Sequence, residues 1–217
     1  ERACAQGWIS PRAMRNGIIV TVLFACLIGS ALLFYAGWEL TIVGLLCVLF
    51  AFLYTTGPYP LSYNGWGDVL VIVFFGFVPV GGTYYVQALT WTSDTTVASL
   101  ICGLLIDTLL VVNNYRDREA DARSGKRTVI VRFGEKFGRY LYLMLGVAAS
   151  LLCFWFFFEG HLFAALLPLL YLIPHVLTWR RMVQIHSGKK LNSILGETSR
   201  NMLLMGILLS IGFLIRH

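Results

Sequence analysis

Charge is scarce in this chain. Asp, Glu, Lys and Arg make up 13% of its 217 residues, against roughly 25% in an ordinary soluble domain, which excludes a water-facing globular fold. With 58% hydrophobic residues, the composition is also the reverse of that of a disordered segment, which is polar and highly charged. No Gly-X-Y period and no heptad pattern is present, so collagen and coiled coils drop out. Cysteine is thinly spread. Cys4, Cys26, Cys47, Cys102 and Cys153 are odd in number, have no CxxC spacing and mostly sit in apolar runs. There a thiol behaves as a small hydrophobe, so neither a disulfide framework nor a zinc site is expected. No basic stretch followed by a short apolar core opens the chain, so no signal peptide is expected. The chain starts at Glu1 instead of Met, and its natural N-terminus is expected upstream.

What the chain has in quantity is long apolar runs. They cover residues 18–37, 40–55, 69–88, 95–113, 139–158, 162–179 and 201–215, close to the ~17–25 residues that a helix needs to cross a bilayer. The expected fold is therefore all-α, a polytopic transmembrane helical bundle forming one integral-membrane domain over residues 1–217. Seven crossings put the termini on opposite sides. Of the 17 Lys and Arg, 16 then fall on one side: within 1–17, 114–138 and 180–200, or, for Arg139, at the very start of the next run. Only Arg216 is left for the other side. The positive-inside rule assigns the basic loops to the cytoplasm and His217 to the outside. The net charge of +6 is thereby explained by topology, and no nucleic-acid partner is expected. The outer connections, near Trp38 and Trp91, look like tight turns with aromatic interface anchors. Chemistry is expected on the longer cytoplasmic loops.

The richest of those loops begins where the fourth run ends. A helix that continues past the membrane edge would carry Asn113, Asp117 and Asp121 at i, i+4 and i+8, on one face. Two carboxylates one turn apart repel, and a shared cation would turn that liability into a site. Mg²⁺ fits, because it takes oxygen ligands and is commonly held by one or two carboxylates plus substrate phosphates. Arg116, Arg123, Lys126 and Arg127 follow closely and offer charge-assisted hydrogen bonds to phosphate oxygens. A charge run of this kind is otherwise a solvated helix end, with ion pairs worth under ~1 kcal/mol each. The regular spacing and the adjacent Asn113 and Asn114 favour a site, although Asn, a mediocre helix former, also serves as a cap.

The string NNYRDREADARSGKRTVIVRFG, Asn113 to Gly134, resembles the second aspartate-rich motif of the UbiA-type intramembrane prenyltransferases. Its NNxRDxxxDxxxGKRT form is most similar to the branch that prenylates 1,4-dihydroxy-2-naphthoate in menaquinone synthesis. Tyr54 to Pro60, running on to Gly65-Trp66-Gly67-Asp68, resembles a cytoplasmic loop of the same branch, and GWISPR (Gly7 to Arg12) and LNSILGET (Leu191 to Thr198) extend the similarity. The resemblance implies nine transmembrane helices around a cavity, with two facing aspartate-rich motifs. Seven runs and one motif are present here, so the first two helices and the first motif are expected to lie upstream of Glu1. It further implies Asp117 and Asp121 as Mg²⁺ ligands and, with Lys126, as catalytic residues. Substrate-binding roles are implied for Asn113, Asn114, Arg116, Arg127, Tyr54 and Tyr59. The implied substrates are a polyprenyl diphosphate and 1,4-dihydroxy-2-naphthoate, and the implied location is a bacterial inner membrane with the active-site loops cytoplasmic.

Other features take blander readings. Most of the 31 aromatic residues are expected to pack against neighbours or sit at interfaces. His175 is expected to be a satisfied core histidine, and Pro168 and Pro174 predict a kink. Asp107, an acid well inside a run, is either functional or hydrogen-bonded to a neighbouring helix. Two alternatives remain open from sequence: another aromatic prenyltransferase with a benzoate or homogentisate acceptor, and a small-molecule transporter.

Overall fold

A computed structural model of the chain describes Cys4 and residues 6–215. Arg216 and His217, on which the expected outer terminus rests, lie outside the described residues. The described residues are helical with no strand among them. They fall into two compact units, Glu1–Phe52 and Leu53–His217.

The first unit holds α1 (Pro11–Ala36) and most of α2 (Glu39–Thr55). The Ser10 hydroxyl caps α1 by accepting from the Ala13 amide at 3.2 Å, and Pro11 supplies the fixed φ suited to a first turn. Pro58 and Pro60 follow the end of α2, where their missing amides discourage further helix.

The second unit is built from α3 (Gly67–Ala88), α4 (Ser93–Arg123), the one-turn α5 (Val129–Phe133), α6 (Glu135–Phe158), α7 (Leu162–Ile185) and α8 (Lys189–Leu214). Among the described residues six helices, α1, α3, α4, α6, α7 and α8, are long and apolar enough to cross a membrane, and α2 is a shorter apolar helix. The seven apolar runs thus correspond to six long helices and one of 17 residues. Several helices run beyond the runs that announced them, α4 by ten residues at its C-terminal end and α8 by twelve at its N-terminal end.

α3 and α4 touch backbone to backbone. A Cβ added at Gly76 would lie 2.5 Å from the Ser99 carbonyl oxygen and 2.7 Å from the Gly103 Cα, and one at Gly103 would lie 2.9 Å from the Ile72 carbonyl oxygen. Small residues at a crossing allow this approach in membrane helices, where close packing and not water exclusion drives association. Around the crossing, Ile72–Gly81 of α3 is π-helical with Pro79 inside it. Proline lacks an amide to give its turn, and a widened turn absorbs the break.

α7 changes from α to 3₁₀ over Leu167–Tyr171, at Pro168, before resuming as α-helix at Leu172 and continuing through Pro174. His175 is fully buried. Its Nε2 donates to the Leu143 carbonyl at 3.2 Å, which leaves Nδ1 to accept from the Tyr171 hydroxyl at 2.9 Å. The ring stacks on Tyr142 at 4.7 Å. It is the satisfied core histidine expected. Two apolar clusters flank it, one around Tyr115, Tyr142 and Met182 and one around Ile101, Phe156 and Met205.

Candidate active site

The site begins with the length of α4. Its first turn is capped by the Thr92 hydroxyl, which accepts from the Thr95 amide at 3.1 Å, and it continues unbroken to Arg123. Asn113, Asp117 and Asp121 therefore do share one helical face. At the end the chain reverses through Gly125, whose φ of +76° is the left-handed conformation that glycine adopts at little cost. The reversal lets the Lys126 amide donate to the Asp121 carbonyl at 2.9 Å and brings Lys126 Nζ to 3.4 Å from Asp121 Oδ2.

Arg116 is the hub. Its Nε donates to Asp117 Oδ1 at 2.7 Å and its Nη2 to Asp117 Oδ2 at 2.6 Å, a two-pronged pairing of a planar fork with a carboxylate. Nη2 also donates to Asn113 Oδ1 at 2.7 Å. Nη1 reaches across to α8 and donates to Asn192 Oδ1 at 2.9 Å. One guanidinium thus fixes Asn113 and Asp117 on their face and ties that face to the start of α8. Asn192 lies in the LNSILGET stretch but was not among the candidate residues. A pairing across 76 residues leaves no local periodicity from which it could be found.

The preceding loop is fastened to the same place. The Arg127 amide donates to the Tyr63 carbonyl at 2.7 Å, and Arg132 Nη2 donates to the Asn64 carbonyl at 2.7 Å. A Cβ at Gly65 would lie 3.0 Å from the Arg127 carbonyl oxygen, and its φ is +82°, so both space and conformation call for glycine there. Tyr54 is half-buried at the end of α2, where its carbonyl accepts from the Ser62 hydroxyl at 2.6 Å. Its own hydroxyl lies 3.5 Å from the position of a Cβ on Gly67.

Not every candidate residue joins the group. Asn114 is buried at 4% exposure, one residue round the helix from the carboxylate face, and Tyr59 is 56% exposed in the loop. Arg127 contributes its backbone to the loop contact, and its side chain stays exposed. On the far side of α4, Tyr115 donates to Glu135 at 3.1 Å and accepts from Arg139 Nε at 3.0 Å. Arg118 lies 4.6 Å over the Tyr115 ring and pairs with Glu135 at 3.3 Å. Arg139 pairs with Glu135 as well. Those two arginines are committed to joining α4 and α6, which leaves Arg116, Arg123, Lys126 and Arg127 for the site.

The donor set suits a hard divalent cation in part. Asp117 and Asp121 carry carboxylate oxygens one turn apart and Asn113 an amide oxygen on the same face, with the Asp117 and Asn113 oxygens bonded to Arg116 and Asp121 Oδ2 paired with Lys126. Among the described residues no group of three or more His, Cys, Asp or Glu forms a complete metal cage. A cation held here would take its remaining oxygens from outside this cluster, as Mg²⁺ commonly does from substrate phosphates and water. A second acidic feature lies further along α4 and at the start of α3. Asp107 is 1% exposed, and Oδ1 of both Asp107 and Asp68 is buried with no hydrogen-bond partner among the described residues. The two acids and the Tyr54 hydroxyl lie within electrostatic reach of one another. The hydrogen bond to a neighbouring helix that sequence offered as one reading of Asp107 is not made by this oxygen.

The sequence profile of the UbiA prenyltransferase family matches residues 1–210. The chain belongs to the UbiA prenyltransferase family. Among its relatives is a 1,4-dihydroxy-2-naphthoate octaprenyltransferase of Haemophilus influenzae, 36% identical over 99% of this chain and 72% of the relative. Proteins of the same description from Escherichia coli and Mycobacterium leprae are 37% and 39% identical, over 70% and 65% of this chain. In those two the aligned part is 51% and 48% of the relative, so this UbiA-family chain spans about half their length. No solved structure matches.

Proposed function

We propose that this UbiA-family chain is the main part of an integral-membrane enzyme that transfers a polyprenyl group from its diphosphate to 1,4-dihydroxy-2-naphthoate. The observation that carries the proposal is the Arg116 hub, which holds Asn113 and Asp117 on one face beside the Lys126 and Asp121 pair. The relatives' description supplies the substrates.

Asp117 and Asp121 would hold Mg²⁺, which when bound would supply charge stabilisation for a departing diphosphate. Arg116, Lys126 and Arg127 bind the diphosphate oxygens, Arg as a planar fork and Lys as a point charge. Asn113 and Asn114 orient these groups or the acceptor, and Tyr54 at the end of α2 and Tyr59 in the loop after it border the site. The allylic C–O bond breaks with its electron pair leaving on the diphosphate. The ring carbon of the naphthoate takes up the prenyl carbon, and the ring's carboxylate departs as CO₂, restoring aromaticity. The product is the reduced form of demethylmenaquinone. Residues 1–217 act as one domain, and the motif side of the bundle faces the cytoplasm of a bacterial inner membrane.

Two measurements test this. A site made of two carboxylates leaves Mg²⁺ largely hydrated, so metal and diphosphate should bind cooperatively, each raising the other's affinity by the same factor. Melting of the full-length detergent-solubilised protein should rise more with Mg²⁺ and a non-hydrolysable prenyl thiodiphosphate together than the two separate rises combined. Strict additivity would remove the metal-diphosphate site, and turnover of 4-hydroxybenzoate or homogentisate in place of the naphthoate would correct the acceptor. For orientation, a single Cys introduced at Ser124 in a cysteine-free background should escape an impermeant thiol reagent in intact cells and react after permeabilisation. Labelling from outside would invert the topology.

A further inference from the structure

α7 and α8 leave an open groove between them whose lining includes none of Asn113, Asp117 and Asp121. It has a volume of about 620 Å³, and Thr178, Arg180, Arg181, Glu197, Arg200 and Asn201 form its polar part. Pro174, Leu177 and Leu204 line the remainder together with Gln184. The polar and apolar parts are not mixed. Along α7 the lining passes from Pro174 and Leu177 to Arg180, Arg181 and Gln184, and along α8 it passes from Leu204 back to Arg200 and Glu197. Both helices therefore place their apolar lining residues further along the helix from the end that carries Asp117, and their charged residues towards that end. Pro174 and Gln184 are separated by ~15 Å of helix.

The floor is already satisfied. Asn201 Nδ2 donates to Thr178 Oγ1 at 2.9 Å, and Thr178 Oγ1 donates to Glu197 Oε2 at 3.4 Å. Glu197 is 8% exposed and pairs with Arg181 at 2.6 Å. Arg180 and Arg200 have no carboxylate partner among the described residues. They are exposed, beside Leu177 at 54% and Leu204 at 37% exposure. Two guanidiniums without a carboxylate partner at one end of a groove, with exposed apolar side chains Leu177 and Leu204 further along it, complement an amphiphile with an anionic head.

We propose that the groove between α7 and α8 binds an anionic glycerophospholipid, its phosphate between Arg180 and Arg200 and its acyl chains along Pro174, Leu177 and Leu204. Basic pockets between transmembrane helices on the cytoplasmic side are suited to such headgroups. The topology proposed above puts this end of the bundle in that leaflet. A second molecule of the prenyl substrate is disfavoured, because the one carboxylate in the lining is taken by Arg181 and no second is present to hold a metal with the diphosphate.

The test uses the full-length protein in detergent, melted with added phosphatidylglycerol, with phosphatidylcholine of the same acyl chains, and with inorganic phosphate. The double variant R180Q/R200Q is compared in each arm, and Arg181 is spared because its loss would strand Glu197. Phosphatidylglycerol should raise the melting temperature by several degrees more than phosphatidylcholine, and the double variant should lose most of that difference. Inorganic phosphate should have little effect, and the response to Mg²⁺ with prenyl thiodiphosphate should be the same in both proteins, which separates this site from the catalytic one. Equal effects of the two lipids, full retention of the difference by the double variant, or an inorganic phosphate effect matching that of phosphatidylglycerol would each overturn the proposal. So would loss of the thiodiphosphate response in the double variant, which would make the groove a substrate site.

Discussion

Asp117→Asn and Asp121→Asn, each introduced into the full-length protein, are expected to lower prenyl transfer by about 10²–10³-fold, the range seen when one preorganised charge-stabilising group is removed. Folding should survive both changes. The side chain of Asp117 is 40% exposed and that of its partner Arg116 is 23% exposed, and an ion pair of that exposure is worth about 0–1 kcal/mol. Arg116 would keep its bonds to Asn113 and Asn192, so the face and its link to α8 should persist. Asp121 is less exposed, at 14%, but Lys126 remains tied to its backbone carbonyl. Melting without Mg²⁺ should stay close to that of the parent protein, and the joint effect of Mg²⁺ and prenyl thiodiphosphate should vanish. Near-parental turnover in a membrane assay with either variant would refute the assignment of these carboxylates.

The second large effect is structural. Gly76→Ala should destabilise the protein by about 3 kcal/mol, the upper end of the usual cost of overpacking. The new methyl would lie 2.5 Å from the Ser99 carbonyl oxygen and 2.7 Å from the Gly103 Cα. Both are backbone atoms of α4, so no side chain can rotate away. Only separation of α3 from α4 relieves the clash, and α4 carries Asp117 and Asp121. Gly206→Ala is the control: it lies in α8 with nothing within 4 Å of the added carbon. Its effect should stay within about 0.5 kcal/mol, as for substitutions away from packed features. Equal melting temperatures for the two variants would show that the helices are not in contact as described.

The sequence carries some of these features openly and hides others, for physical reasons. Apolar runs of membrane length are visible because a bilayer demands them, and so the helices of the bundle could be marked in advance. The i, i+4, i+8 face of Asn113, Asp117 and Asp121 follows from helical periodicity alone, given a helix that continues. The continuation to Arg123 was conditional, since hydropathy ends at the membrane edge and the helix does not. Asn114 is adjacent to Asn113 in sequence yet buried on another face, a distinction that a motif string does not make. The bond from Arg116 to Asn192 and the meeting of Gly76 with Gly103 depend on which helices become neighbours. That is decided by tertiary packing and leaves no local mark. The π-helical turn at Pro79 lies inside an apolar run whose hydropathy shows no interruption.

α4 has 31 residues, a rod of ~46 Å at 1.5 Å per residue, against a hydrocarbon thickness of ~30 Å. It therefore reaches from among the lipid tails into the water beyond them as a single rigid piece. A polyprenyl diphosphate has the same two-phase character, and if the proposed function holds, its charged end would meet Asp117 and Asp121 on such a rod without being drawn into hydrocarbon, while its chain stays dissolved in lipid. Such a substrate would be delivered by lateral diffusion, and its effective concentration would be a mole fraction of the membrane instead of a molarity. Diluting the bilayer with inert lipid should slow the reaction at constant total substrate, whereas diluting the aqueous suspension should not.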